Sequence, residues 1–362
     1  MNKKIAVLPG DGIGPEVIEQ AIKVLKAIEE TFGHHFEFKQ GLIGASAIDV
    51  TGNPFPQETE KLCFDSDAIL FGAIGHPKYD NDPNAKVRPE QGLLAMRKNL
   101  GLFANIRPVQ SYDSLASISP LKSEIIQDVN FVVFRELTGG IYFGQPRGRS
   151  EDQETAYDTC VYSKQEILRI TKLAFESAAR RKGKVTLVDK ANVLASSRLW
   201  RETVKAYAEQ HKEVVLDFMF VDNAAMKIIL NPRQFDVILT ENMFGDIITD
   251  EASVITGSLG MLPSASVGNK MALFEPIHGS YPEAAGQNKA NPFGAILSAA
   301  MLLEYSFNLT AESSSIREAV NQAISSGWVT EDLNTKNPKT TDQVGDEIVR
   351  LTKSISLASS ES

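Results

Sequence analysis

Cysteine is scarce in this chain. Its 362 residues include two, Cys63 and Cys160, far apart and outside any CxxC or Cys/His cluster. That excludes a disulfide framework and points to two reduced thiols in a cytosolic protein. A chain of this length buries a sizeable core without such staples. The five histidines, at 34, 35, 76, 211 and 278, show neither HExxH nor HxH spacing, which argues against a zinc site. Long apolar runs are missing as well. The run 5–8 is cut off by Pro9-Gly10-Asp11-Gly12 and is too short for a signal peptide. The longest, 295–303, stops at Glu304 and cannot span a bilayer. A soluble, cytoplasmic protein is therefore expected. Basic residues are outnumbered, 37 Lys plus Arg against 46 Asp plus Glu, for a net charge of −9. This disfavours non-specific nucleic-acid binding and leaves room for a local basic pocket that takes an anionic small molecule. No internal repeat or low-complexity tract is present.

What is there is ordinary for a folded protein: 43% apolar and 23% charged residues, which excludes a disordered or fibrous chain. At roughly 150 residues per domain the length suggests two domains. Short β-rich runs at 5–8, 68–71, 131–134, 185–188, 214–220 and 237–239 alternate with helical spacing at 15–28, 163–181, 198–209, 224–230, 292–305 and 315–325. The alternation predicts an α/β architecture with a parallel or mixed sheet. One stretch, 139–160, is polar and Gly-rich and reads as a long loop or protruding hairpin. The Ser-rich tail, 354–362, is expected to fray.

Four of the predicted strands run directly into polar residues: Arg135-Glu136, Asp189-Lys190, Asp222-Asn223 and Thr240-Glu241-Asn242. Ligands bind beyond the carboxyl ends of strands in open α/β sheets, so four such ends point to a constructed site. Asp246 and Asp250 are four apart at the start of a predicted helix and share one face. Like charges so placed destabilise a helix by roughly 0.2–0.5 kcal/mol. They are either a solvated acidic face or oxygen ligands for Mg²⁺ or Mn²⁺. Arg97, Arg107 and Arg135 come from three segments; converging, they would clamp a di- or tricarboxylate, and apart they are surface ion-pair partners. The segment Leu8-Pro9-Gly10-Asp11-Gly12-Ile13-Gly14-Pro15 follows a strand and precedes a helix, yet it is not GxGxxG. It reads as a tight turn with Pro15 starting the helix rather than as a Rossmann fingerprint.

With these stand Gly92-Leu93-Leu94-Ala95-Met96-Arg97-Lys98, Phe103-Ala104-Asn105-Ile106-Arg107-Pro108, Arg135-Glu136-Leu137-Thr138-Gly139-Gly140-Ile141-Tyr142-Phe143-Gly144, Asp189-Lys190-Ala191-Asn192-Val193, Asn242-Met243-Phe244-Gly245-Asp246-Ile247 and Glu275-Pro276-Ile277-His278-Gly279-Ser280. In this order the motifs resemble the β-decarboxylating dehydrogenases of the isocitrate/isopropylmalate dehydrogenase family, over nearly the whole chain.

The resemblance implies a two-domain isopropylmalate/isocitrate dehydrogenase-like α/β fold, with mixed sheets flanked by helices, and not a Rossmann fold. The first domain would be 1–102 plus 257–362, holding both termini and the cofactor. The second, 103–256, would carry the arm at about 139–160 and the contact of a homodimer. The active site would lie between the domains and borrow residues from the partner subunit. Arg97, Arg107 and Arg135 resemble the substrate-carboxylate clamp. Asp222, Asp246 and Asp250 resemble the ligands of Mg²⁺ or Mn²⁺, with Asp222 also touching substrate. Lys190 would take the proton of the substrate hydroxyl, which it can do only as the neutral amine, and Tyr142 would protonate the enol carbon. Asp222 and Lys190 would come from the partner.

Ile13, Glu90, Glu275, His278, Gly279, Ser280, Glu283 and Asn291 fall where relatives bind the dinucleotide. A carboxylate at Glu283 favours NAD over NADP, because it pairs with ribose hydroxyls and repels a 2′-phosphate. Leu93 and Leu94, with Val193 of a second copy, would form an apolar wall for an isopropyl group; plain helix core is the other reading of the two leucines. The implied reaction is NAD-dependent oxidative decarboxylation of (2R,3S)-3-isopropylmalate to 4-methyl-2-oxopentanoate and CO₂, a step of leucine biosynthesis. The alternative is a related β-decarboxylating dehydrogenase acting on D-malate, tartrate or another 3-alkylmalate; the apolar Leu93-Leu94 pair weighs against isocitrate. A catalytically silent regulatory relative would have lost a catalytic residue, whereas Tyr142, Lys190 and all three aspartates are present.

Overall fold

The computed structural model describes residues 1–82 and 85–360. Twelve strands run through them. In chain order they are β1 (Asn2–Gly10), β2 (His35–Gln40), β3 (Ala68–Ala73), β4 (Leu102–Gln110), β5 (Asn130–Glu136), β6 (Gly148–Arg149) and β7 (Ala156–Tyr157). They continue with β8 (Lys184–Asp189), β9 (Val215–Phe220), β10 (Val237–Thr240), β11 (Pro263–Gly268) and β12 (Ala272–Pro276). The chain divides into two compact units, Met1–Leu102 with Gly257–Ser362, and Phe103–Thr256.

In the first unit the strand order is β2-β1-β3-β12-β11. The β1–β2, β1–β3 and β3–β12 pairs are parallel and β11–β12 is antiparallel. The sheet is apolar where it is covered: Leu8, Ile69, Phe71 and Leu273 pack with Ile43, Phe55 and Met96. The helix Gly14–Phe32 buries Val17, Ile18, Ala21, Val24, Leu25 and Ile28, the three-and-four spacing of a one-faced helix. Pro15 sits in its first turn, and Gly33, at φ 70°, ends it in the left-handed conformation, where glycine carries no steric penalty. The helix Phe293–Phe307 is buried nearly all round as far as Leu303, as its largely apolar sequence up to Glu304 requires.

The second unit has the order β4-β5-β10-β8-β9. The β4–β5 pair is antiparallel and the rest are parallel. Its core gathers Val109, Phe131, Val133, Val188, Ile228, Phe235, Ile238 and Ile248. The stretch read as an arm holds the short β6–β7 hairpin, whose strand residues are exposed, while Gly139, Gly140 and Gly144 at its base are buried.

Each apolar run read as a strand is one. Four strands were not anticipated, namely β2, β4, β11 and β12. β4 reads Leu-Phe-Ala-Asn-Ile-Arg-Pro-Val-Gln, whose Asn105 and Arg107 interrupt the apolar pattern. The tail is a correction: the helix Thr341–Ser360 runs through most of the stretch expected to fray, anchored upstream by fully buried Val344 and Ile348. Residues 361–362 lie outside the described ones. No described helix is long and apolar enough to cross a membrane.

The turn after β1 is tight in the manner its sequence suggests. Asp11 is buried, and its carboxylate accepts from the backbone N–H of Ala45, Ser46 and Gly75 at 2.8, 3.0 and 3.0 Å. Gly12 has φ +59°, and a Cβ there would stand 1.9 Å from the Ser280 carbonyl oxygen. Gly12→Ala is therefore expected to destabilise the protein by about 1–3 kcal/mol, read as a lowered midpoint in chemical denaturation. An unchanged midpoint would refute this account of the turn.

Candidate active site

The parallel strands of the second unit bring the polar strand ends into one row. Register pairs Arg135 with Thr240, Thr240 with Val188, and Asp189 with Phe220. Arg135-Glu136, Glu241-Asn242, Asp189-Lys190 and Asp222 thus share the carboxyl edge of one sheet, the expected place for a ligand.

The helix Asn242–Ala252 starts at that edge. It is entered through Glu241, whose carboxylate accepts from Phe244 N–H at 2.9 Å. Burial pushes the Glu241 carboxyl above its ordinary range. Asp246 and Asp250 follow on one helical face. Arg135, buried, donates through Nη1 to Asp246 Oδ1 at 2.5 Å, and through Nε and Nη2 to Asn242 Oδ1 at 3.1 and 2.9 Å. Arg107 reaches from β4 to Thr249 at 2.8 Å and Asp250 at 3.3 Å, with its Nε on Asn105 at 2.7 Å. Tyr142, in the turn Gly140–Tyr142, donates its hydroxyl to Asp246 Oδ2 at 3.1 Å. Burial first, then the Asp246 carboxylate, raise the tyrosine above its ordinary value, while Arg135 opposes them. Tyr142 is accordingly a protonated hydroxyl at neutral pH.

Lys190 and Asp222 form a second pair at the ends of β8 and β9, at 2.6 Å. The Lys190 ammonium holds the Asp222 carboxyl below its usual range. Lys190 N–H donates to Ser197 Oγ at 3.1 Å, and its Nζ lies 5.8 Å from the Phe220 ring centre. Asp222 does not join Asp246 and Asp250: among the described residues no three His, Cys, Asp or Glu side chains form a metal-holding group. The pair Asp246 and Asp250 offers only hard oxygen donors, a set that suits Mg²⁺ or Mn²⁺ rather than zinc. Val193 is exposed.

In the first unit Arg97 is paired with Glu275 at 2.9 Å, and its buried Nε finds no partner. Leu93 is partly buried and packs against the core, whereas Leu94 is 50% exposed. Of the two leucines, the first is thus largely committed to packing. A cavity of about 540 Å³ is lined by Ile13, Leu259, His278, Gly279, Asn291 and Asp332, among others. His278 Nδ1 lies 2.9 Å from the Gly279 carbonyl oxygen, which assigns the proton to Nδ1 and leaves Nε2 an acceptor. Nε2 is inaccessible and has no partner in the chain. Burial lowers the His278 pKa, so the ring is neutral. The cavity that His278 lines is of the size that holds a small ligand or a nucleotide base.

Ser280 is buried, and its carbonyl accepts from Ile13 N–H at 2.8 Å. Glu90 and Glu283 are exposed and do not line this cavity. Sequence reasoning gave no role to Asp332, which accepts from Asn291 Nδ2 at 2.9 Å and Thr330 Oγ1 at 2.5 Å, nor to Asn242. Asn242 was visible as a polar strand end, but nothing in its spacing marked what it binds.

Arginines, aspartates and a tyrosine gathered at one edge of a mixed sheet, with a nucleotide-sized cavity in the other unit, make up the equipment of an oxidoreductase for small acids. The chain belongs to the isocitrate/isopropylmalate dehydrogenase family, whose model matches residues 4–348. It is 59% identical over 335 residues to a 3-isopropylmalate dehydrogenase of Geobacillus kaustophilus, covering 92% of this chain and 90% of that one. It is 57% identical over 337 residues to a 3-isopropylmalate dehydrogenase of Bacillus subtilis, covering 92% of each. Among solved structures, an isocitrate dehydrogenase from Methylococcus capsulatus matches with a TM-score of 0.85 at 32% identity, over 97% of this chain and 99% of that one. A β-decarboxylating dehydrogenase from Thermococcus kodakarensis, in its apo form, matches at 0.81 and 36% identity, over 97% and 96%.

Proposed function

We propose that this protein catalyses the NAD-dependent oxidative decarboxylation of 3-isopropylmalate to 4-methyl-2-oxopentanoate and CO₂, using Mg²⁺ or Mn²⁺. The carrying observation is the Arg135–Asp246–Tyr142 cluster, with Asp250 one helical turn on. It combines an anion clamp, hard oxygen donors and a protonated hydroxyl within hydrogen-bond reach. Relatives named 3-isopropylmalate dehydrogenase at 57–59% identity support the choice of substrate.

In this reading Arg97, Arg107 and Arg135 hold the substrate's carboxylates, replacing their present pairing with acidic side chains. Lys190 takes the proton of the 2-hydroxyl, after giving up the proton it carries in its pair with Asp222. When bound, NAD supplies the hydride acceptor and the divalent cation withdraws charge from the hydroxyl oxygen. The bond from C3 to its carboxylate breaks, CO₂ leaves, and Tyr142 gives its proton to C3. Ile13, His278, Gly279 and Asn291 line the dinucleotide cavity, with Ser280 backing it; Glu90, Glu275 and Glu283 stand outside that lining and are assigned to more distant parts of the dinucleotide, where the Glu283 charge would disfavour NADP. Asp246 and Asp250 hold the metal, completed by Asp222 of a second copy, which also supplies Lys190 and Val193.

A homodimer fits the exposed apolar side chains on the helices Val221–Leu230 and Asn242–Ala252. Met226, Leu230 and Ile247 are 57, 64 and 58% exposed, next to Asp222 and Asp246. The cytoplasm is the proposed setting: both cysteines are free, and burial pushes the Cys63 thiol up to about 12, an inert thiol.

The test is NADH formation with Mn²⁺ on 3-isopropylmalate, D-malate, tartrate and isocitrate. Burying an isopropyl group against Leu94 and the partner's Val193 offers about 2 kcal/mol. The expected preference over D-malate in kcat/KM is therefore about 30-fold. Equal rates on D-malate or tartrate would make this a sister enzyme of the same family and remove the apolar wall.

A further inference from the structure

We propose that Asn242 is a positioning residue that locks the substrate-binding Arg135 to the turn carrying Tyr142, through two functions of one amide. The inference rests on the functional reading above for the roles of those two residues.

Asn242 is 1% exposed and opens the helix that carries Asp246 and Asp250. Its Oδ1 accepts from Arg135 Nε and Nη2 at 3.1 and 2.9 Å. Its Nδ2 donates to the Gly139 carbonyl at 3.2 Å. The amide thus faces a cation with its acceptor and a carbonyl with its donor, so its orientation is dictated.

Gly139 is held from both sides. Its N–H donates to Glu136 Oε2 at 2.7 Å, and Glu136 is itself fixed by Arg169 at 2.8 Å. The next amide, Gly140 N–H, donates to Val161 O at 3.0 Å. The two glycines allow the chain to run against Tyr162. A Cβ at Gly139 would lie 2.6 Å from a ring carbon of Tyr162, and one at Gly140 2.4 Å from its hydroxyl oxygen, and Gly140 has φ +77°. Tyr162 closes the frame by accepting from Asn242 N–H at 3.0 Å. Two residues beyond Gly140, Tyr142 projects to Asp246, and Asp246 returns to Arg135. The circuit Arg135–Asn242–Gly139–Tyr142–Asp246–Arg135 therefore contains one side chain that serves no substrate and no metal. Asn242 sets the distance between the group that holds a carboxylate and the group that delivers a proton.

Asn242→Asp keeps the acceptor for Arg135 and removes the donor to Gly139. Asn242→Ala removes both. In full-length enzyme, hydrogen exchange needs no substrate. Amides of 140–144 should exchange about tenfold faster in the Asp variant, with those of β1 and β3 unchanged. In kinetics on whichever 2-hydroxy diacid the wild type uses best, Asn242→Asp should lower kcat at least tenfold and shift substrate binding less than about threefold. Asn242→Ala should also weaken binding about tenfold, measured by calorimetry without NAD.

The decisive comparison is with Tyr142→Phe. If Asn242 acts through Tyr142, Asn242→Asp should have little further effect on kcat in that background. Multiplying effects of the two substitutions, or unchanged exchange of 140–144 in the Asp variant, would overturn the proposal. Asn242→Ser, which shortens the side chain without adding charge, replaces the Asp variant if that one does not fold. A wild-type enzyme inert towards isopropylmalate would fail the functional reading alone, because the exchange measurement stands without it.

Discussion

Lys190→Ala is expected to lower kcat by about 10²–10⁴-fold while leaving the folded protein intact, because it removes a general base without opening a core. Lys190 projects from the end of β8 over the Phe220 ring, and its only ion-pair partner among the described residues is Asp222. The Asp222 side chain is 64% exposed, and ion pairs of that exposure contribute little to stability. No buried charge is orphaned by the truncation, in contrast to the same change at Arg135, which lies under the sheet edge against Asp246 and Asn242. Steady-state kinetics with a thermal melt on the same preparation separates the two effects. Near-normal turnover in a normally folded variant would remove Lys190 from the mechanism. A melt lowered by several degrees would make its role structural.

Removing divalent metal is expected to abolish turnover, by about 10³-fold or more, since a cation at a developing alkoxide is worth several kcal/mol. Asp246 and Asp250 present their carboxylates at i and i+4, where repulsion is answered today by Arg135 and Arg107. A metal ion must compete with these guanidinium groups, so binding and substrate should be cooperative: a substrate carboxylate that draws the arginines away frees the aspartates. The measurable form is a thermal shift in which Mn²⁺ with isopropylmalate stabilises more than the sum of each alone. Asp250→Asn should raise the Mn²⁺ needed for half-maximal effect by at least about 10-fold. Asp250 suits the test because its side chain is 73% exposed and its loss disturbs no packing. Full activity after exhaustive chelation would refute the metal reading, and additive shifts would refute the competition.

Those tests turn on residues whose visibility in the sequence differed. The strands β1, β3, β5, β8, β9 and β10 were legible because their apolar runs are short, β-branched and bounded by turns. β4 was not, because it spends alternate positions on Asn105 and Arg107, whose contacts override strand propensity. The terminal helix was masked by its serines, which are poor helix formers alone but tolerable where Val344 and Ile348 anchor the preceding turns. Asp246 and Asp250 could be placed on one face from their spacing. That Arg135 and Arg107 would each meet one of them could not, since the partners come from β5 and β4.

The sequence alone determined the period of each apolar segment, the turn at Gly10 and Gly12, and which ionisable residues stand where strands end. These are properties of neighbours along the chain, governed by local sterics and by the alternation of faces. Only the tertiary structure decided that Leu93 joins the core while Leu94 stays exposed, that Glu283 lies off the cavity lined by His278, and that Asn242 bridges Arg135 to Gly139. Each depends on groups distant in sequence meeting at hydrogen-bond or van der Waals range. That distance is set by sheet register and by packing against a second element, neither of which is written in any local pattern.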